Sequence, residues 1–131
     1  TTLFRSVTWI NDAYNANPES VKALLNWLAD APAPDGNLVV VLGDMLELGP
    51  TAPALHKEVL THAKEVLPDA VVYAFGPIMT AVATAPVQAF DDMDALQHAV
   101  TGTLAAGDCI ALKGSRGMRL ERLLPAAEQR A

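Results

Sequence analysis

The sequence holds one cysteine, Cys109, among 131 residues. With no partner in the chain, it excludes an internal disulfide framework and fits a reducing cytoplasm. Basic residues are also scarce: 9 Lys and Arg stand against 15 Asp and Glu, for a formal net charge of −6. Nucleic acid and anionic membranes both reward basic surfaces, so neither is expected as the main partner. No apolar stretch approaches the roughly 18–20 residues that span a bilayer, so no membrane insertion is expected. At the N-terminus no basic region leads into an apolar segment, which excludes a signal-peptide reading. The chain has no initiator Met and runs almost directly into a strand, so it reads as a fragment with a neighbour upstream.

Several catalytic signatures are missing too. Gly43 follows a buried run as the first glycine of a phosphate-binding loop does, but no lysine follows, and Gly43…Gly49 misses the GxxxxGK[ST] spacing by one residue. Neither Ser20 nor Ser115 lies in a GxSxG elbow, and Cys109 sits within a strand pattern, so no nucleophile assembly is supported. His56 is outside any HExxH arrangement and far from cysteine, so no metal site is expected. His56 falls one residue off its helix's apolar stripe and reads by default as a packed or rim histidine.

What is present is a core. Hydrophobic residues make up 51% and charged residues 18%, enough for one packed domain over residues 1–131. Short apolar runs at residues 7–10, 38–42, 70–75, 87–90 and 109–112 alternate with helical patterns. The second run, Leu-Val-Val-Val-Leu, is apolar at every position, as a central strand covered on both faces must be. Val21, Leu24, Leu25 and Leu28 form one helix face behind the start signal Asn17-Pro18. Leu55, Val59, Ala63 and Val66 form a second, and Met93, Leu96, Val100 and Leu104 a third behind the caps Asp91 and Asp92. Leu120, Leu123, Leu124 and Ala127 predict a last helix, and residues 77–83 a short one. This alternation predicts an α/β fold with a mostly parallel sheet flanked by helices, the whole sheet being expected to hold about six strands, one more than these five runs. In such a sheet ligands sit beyond the carboxyl ends of the strands, which directs attention to residues 12–17, 43–51, 76–77 and 114–117.

Those loops carry the candidate chemistry. The first gathers Asp12, Tyr14, Asn15 and Asn17 between a strand and a helix N-terminus, a set that suits a ribose, an adenine edge or an anion. The same residues also read as a helix cap, a held turn and a packed ring. Asp44 and Glu47 in the second loop either bind an ammonium group, hold another loop in place or remain solvated acids. In the fourth, Lys113, Ser115 and Arg116 surround two glycines ahead of a helix start. Residues 113–122 hold four cations against the single acid Glu121. An anion site for a carboxylate or phosphate is the sharpest reading there; a solvated helix face is the alternative, and Arg122 is assigned to it.

Taken together, Asp12-Ala13-Tyr14-Asn15-Ala16-Asn17-Pro18-Glu19-Ser20, Leu42-Gly43-Asp44-Met45-Leu46-Glu47-Leu48-Gly49, His56-Lys57-Glu58-Val59 and Lys113-Gly114-Ser115-Arg116 resemble the C-terminal domain of the Mur ligases. The motifs stand in the family's order, and the form of the first points to the branch that adds D-Ala-D-Ala. The resemblance implies a Rossmann-like three-layer sandwich, the last of three domains in a cytoplasmic bacterial enzyme of peptidoglycan synthesis. That enzyme, with ATP and Mg2+, activates the terminal carboxylate of UDP-MurNAc-tripeptide as an acyl phosphate, which the amine of D-Ala-D-Ala attacks. It further implies that Asp12 meets the ribose and Asn15 the adenosine or reaction centre. Asp44 and Glu47 then face the incoming dipeptide, and Lys113, Ser115 and Arg116 line the place of its carboxylate. Tyr14, Asn17 and His56 are further possible contacts. No catalytic residue is expected within this chain, which on this reading is inactive without its upstream domains. Two other classes compete: a free-standing α/β module that binds a nucleotide or small acid, and a paralogous domain kept for protein–protein contact.

Overall fold

The computed structural model describes residues 7–125. Its sheet consists of β1 (Thr8–Asp12), β2 (Leu38–Gly43), β3 (Val71–Phe75), β4 (Gln88–Phe90) and β5 (Cys109–Lys113), in the order β1-β5-β2-β3-β4. Every pairing is parallel. The chain steps outward from β2 to β4 and then returns to insert β5 between β1 and β2. The expected parallel α/β sheet is therefore present, with five strands among the described residues rather than about six.

The period of two along each strand divides the core. Val40 and Leu42 of β2 point into one layer with Val72 and Ala74 of β3 and Ala111 of β5. That layer is closed by α1 (Pro18–Asp30), α2 (Ala52–Val66) and the short α3 (Pro77–Val82). Val39, Val41, Tyr73, Ile110 and Leu112 point into the other, closed by α4 (Met93–Thr103) together with Leu120, Leu123 and Leu124. Coverage on both faces is why β2 is apolar at every position.

Local signals account for the helix starts. Asn17 and Ser20 form a reciprocal cap: Ser20 N donates to Asn17 Oδ1 at 2.8 Å and Asn17 N to Ser20 Oγ at 3.0 Å. Asp92 caps α4 by accepting from Ala95 N at 2.9 Å. Two expectations change. In α2 the buried stripe is Ala52, His56, Val59, Leu60 and Ala63, so His56 belongs to the stripe and is fully buried. The helix expected from Leu120 onward is instead a pair of 3-10 turns, Arg116–Met118 and Leu120–Leu123. Arg119, left-handed at φ 53°, interrupts the backbone between them, and Pro125 disfavours helical backbone at Leu124. Ala127 lies outside the described residues.

At the opposite end from the candidate loops, buried Asp108 ties three strands together. Its carboxylate accepts from Asn37 N at 2.7 Å and Ala105 N at 2.8 Å, while its carbonyl accepts from Thr8 N at 2.9 Å. Asp108→Ala orphans two amides, and chemical denaturation should show a loss of about 2–3 kcal/mol. Next to it, burial pushes the Cys109 thiol above its ordinary value. The folded chain thus favours the neutral thiol, a contribution that holds below the unfolded value and is lost as pH rises. Alkylation near pH 8 should be slower in the folded chain than after denaturation, and should accelerate with rising pH; equal rates in both states would contradict the assignment.

Candidate functional site

Because all the strands run the same way, the loops after β1, β2, β3 and β5 open at one end of the sheet. The register places Asp12 beside Lys113, and Lys113 beside Leu42 at the end of β2. The first, second and fourth loops named by the sequence thus meet around three neighbouring strand ends.

Asp12 and Lys113 form an ion pair, with Nζ 2.9 Å from Oδ2. The two ends are unequal: the lysine side chain is 5% exposed and the aspartate 44%. A buried ammonium requires a partner, and Asp12 supplies it. The candidate anion site is therefore partly neutralised by an acid that the sequence assigned to another ligand. The helix N-terminus invoked for that site is also replaced among the described residues, where 3-10 turns follow β5. Arg116 is exposed at the rim. Arg122 is drawn back onto its own turns, donating from Nε to Arg119 O and from its terminal nitrogen to Met118 O, both at 2.9 Å.

In the first loop Tyr14 is 60% exposed, and Asn15 is also exposed, its side-chain oxygen accepting from Ala16 N at 2.9 Å. Asn17 is the helix cap already described, so its side chain is committed to α1.

The second loop is held from several sides. Asp44 is buried: Oδ2 accepts from Ile78 N at 3.0 Å and Oδ1 from Met79 N at 2.8 Å. Its carboxylate is thus turned inward to satisfy the first amides of α3, rather than outward to the open end. Gly76 makes room for it. A Cβ at this glycine would lie 2.3 Å from Asp44 Cγ, and its φ of 122° disfavours any other residue. Met45 N donates to His56 Nε2 at 2.8 Å, while His56 Nδ1 lies 2.6 Å from Ala52 O. A carbonyl only accepts, so the imidazole is the neutral Nδ1–H form, with both nitrogens engaged. Ser115, itself buried, accepts from Leu46 N through Oγ at 2.9 Å and donates its amide to Asp44 O at 3.1 Å. Glu47 follows as an exposed residue at φ 66°. Gly43, read as the possible opening of a phosphate loop, serves close packing instead: a Cβ at Gly114 would come within 3.1 Å of its Cα.

The structure thus gathers Asp12, Lys113 and Ser115 with the Asp44–Glu47 loop, leaving Asn15, Glu47 and Arg116 exposed. It places Asp44, Asn17 and His56 in supporting bonds. Gly76 lies in a loop that the sequence singles out but gives no role; the signal for that role is a glycine directly after an apolar run, opposite an acid at the end of the neighbouring run. Gly76→Ala should destabilise the chain by about 3 kcal/mol, through backbone strain plus displacement of the Asp44 carboxylate. Denaturant titration measures this, and a wild-type midpoint would refute the close approach.

The chain matches the family model described as Mur ligase, glutamate ligase domain, over residues 2–116. It is 42% identical over 129 residues to the UDP-N-acetylmuramoyl-tripeptide--D-alanyl-D-alanine ligase of Treponema pallidum, covering 92% of this chain and 27% of that protein. With the Bacillus subtilis enzyme of the same name the identity is 36%, covering 88% of this chain and 26% of that protein. The chain therefore spans about a quarter of the length of these relatives. Among solved structures, the MurF ligase of Thermotoga maritima in complex with ADP superposes with a TM-score of 0.74 at 27% identity, over 91% of this chain and 27% of that one. A MurF structure from Acinetobacter baumannii gives 0.71 at 26% identity, over 90% and 27%. The match over residues 2–116 and the agreement in sequence and fold establish that the chain belongs to the Mur ligase family, through its glutamate ligase domain.

Proposed function

We propose that this chain is the C-terminal domain of a three-domain, ATP-dependent ligase that joins D-Ala-D-Ala to UDP-MurNAc-tripeptide in the cytoplasm. The observation that carries the reading is the Asp12–Lys113 pair at the carboxyl end of the sheet, bordered by the loop that bears Glu47. Names of relatives support it: those compared above are ligases of this specificity, and one solved MurF carries ADP.

The roles follow from what each group has left to offer. Asp12 uses Oδ2 on Lys113 and is half exposed, which leaves its other oxygen free, on this reading, to accept from a ribose hydroxyl. Asn15 is exposed on the same rim and on this reading meets the adenosine, with exposed Tyr14 beside it as an aromatic face. Lys113 carries three N–H donors, only one of them needed by Asp12; those remaining, with exposed Arg116, suit the carboxylate of the dipeptide. Glu47 offers an unshielded acceptor to its ammonium group. Ser115 and Asp44 hold that loop in position rather than reach outward.

ATP, when bound, supplies the phosphoryl group that activates the precursor carboxylate. Among the described residues no cluster of three carboxylate, imidazole or thiolate groups converges as a metal site would need. This reading assigns Mg2+ to residues of the other domains, and no step is assigned to it here. On this reading the chain orients the dipeptide and excludes water on domain closure, and has no turnover by itself.

The test is Lys113→Ala in the full-length ligase. Losing one charge-assisted contact to the dipeptide should lower kcat/KM for amide formation by about a hundredfold, with the fold retained by circular dichroism. Wild-type turnover would remove Lys113, and the anion site with it, from the mechanism.

A further inference from the structure

His56 is a motif residue that the sequence offers only as a possible contact and to which the proposed roles assign no task. It is fully buried on α2, away from the exposed rim, yet its ring reaches the backbone of the candidate loop. Three consecutive residues of that loop are fixed by three different elements. Asp44 N donates to Phe75 O of β3 at 2.9 Å, Met45 N to His56 Nε2 of α2 at 2.8 Å, and Leu46 N to Ser115 Oγ after β5 at 2.9 Å. Met45 also buries its side chain completely. Immediately beyond these anchors, Glu47 adopts a left-handed backbone at φ 66°. For a residue with a Cβ this conformation costs about 1–2 kcal/mol and persists only where its surroundings over-determine it. The anchored run supplies that determination. Of the three anchors, the imidazole acts at the middle residue and from the helix side alone.

We propose that His56 is a positioning residue: through the Met45 amide it holds Glu47 in the left-handed conformation that presents its carboxylate to the ammonium group of the incoming dipeptide. The proposal rests on the reading that this loop faces the acceptor. It requires one ring nitrogen to accept from the loop, and the other to donate to Ala52 O so that the first stays unprotonated and correctly aimed.

The two nitrogens can be separated. Asparagine places its amide near Nδ1 and keeps the bond to Ala52 O while losing Met45. Glutamine reaches the position of Nε2 and offers Met45 an acceptor while losing Ala52. In the full-length ligase, His56→Asn should raise KM for D-Ala-D-Ala by about tenfold, the effect of one orphaned amide, with KM for ATP unchanged. His56→Gln should recover most of that loss. Amide hydrogen exchange should agree, with Met45 exchanging faster in His56→Asn than in His56→Gln. Equal dipeptide KM values in the two variants, whether raised or unchanged, would overturn the proposal, because a merely space-filling role does not discriminate between the nitrogens. Glu47→Gln separates the two levels of the argument. If its dipeptide KM is that of the wild type, the acceptor-facing reading of the loop falls, and the proposal with it. If it rises while the His56 pair stays equal, the positioning role alone falls.

Discussion

Both oxygens of the Asp44 carboxylate are taken by the backbone of α3, at Ile78 and Met79, while its own amide is bonded to Phe75 and its carbonyl to the amide of Ser115. One residue therefore connects the exit of β2, the exit of β3, the start of α3 and the loop after β5. A buried carboxylate is tolerated because it accepts two amide protons at a helix N-terminus, where the partial positive charge of the helix end opposes its own. The course of the second loop, and what it presents at the open end, depends on this arrangement. Gly76 has to be a glycine so that the carboxylate fits, and Met45 and Leu46 leave the core in a direction that lets His56 and Ser115 reach their amides.

Patterns with a fixed period were legible in the sequence: the apolar β2, the stripe on α1, the cap at Asn17 and the parallel sheet they imply. So was the grouping of the loops, since parallel strands put all their exits at one end. What failed was local geometry with no period. The stretch after β5 has helical spacing in Leu120, Leu123 and Leu124, and these residues are indeed buried, but the left-handed Arg119 converts the segment into short turns. Three leucines can cover a sheet without forming a helix. His56 departs from its expected place for a related reason: a stripe through Leu55 puts the imidazole at the rim, whereas the buried stripe runs through Ala52, His56 and Leu60.

Ion pairing across the sheet was the least legible feature. Asp12 and Lys113 are about a hundred positions apart, and nothing in either motif indicates that they meet. Their contact follows from β5 inserting between β1 and β2, which is a property of the topology. It also revises the electrostatics: the cationic loop is not a free positive patch, because its most buried charge already has a counter-ion. The pair at the strand ends ties the two proposed half-sites together, so a ligand that takes up Asp12 alters the field around Lys113, and the reverse.

The polar residues at the open end fall into two tiers. Asp44, His56, Lys113 and Ser115 are buried, each bonded to a neighbouring element, whereas Asn15, Glu47 and Arg116 stand exposed above them, with Asp12 between. In the lower tier Asp44, His56 and Ser115 fix backbone and Lys113 pairs with Asp12; the upper tier retains free hydrogen-bonding capacity. Exposed groups of this kind are weakly selective in water, since solvent competes for each of them and screens their charges. They gain strength only when a second surface removes the water. A rigid base carrying an open, solvated rim is the architecture expected of one wall of a site whose other wall arrives on closure, and it accords with a chain that matches about a quarter of the length of its relatives.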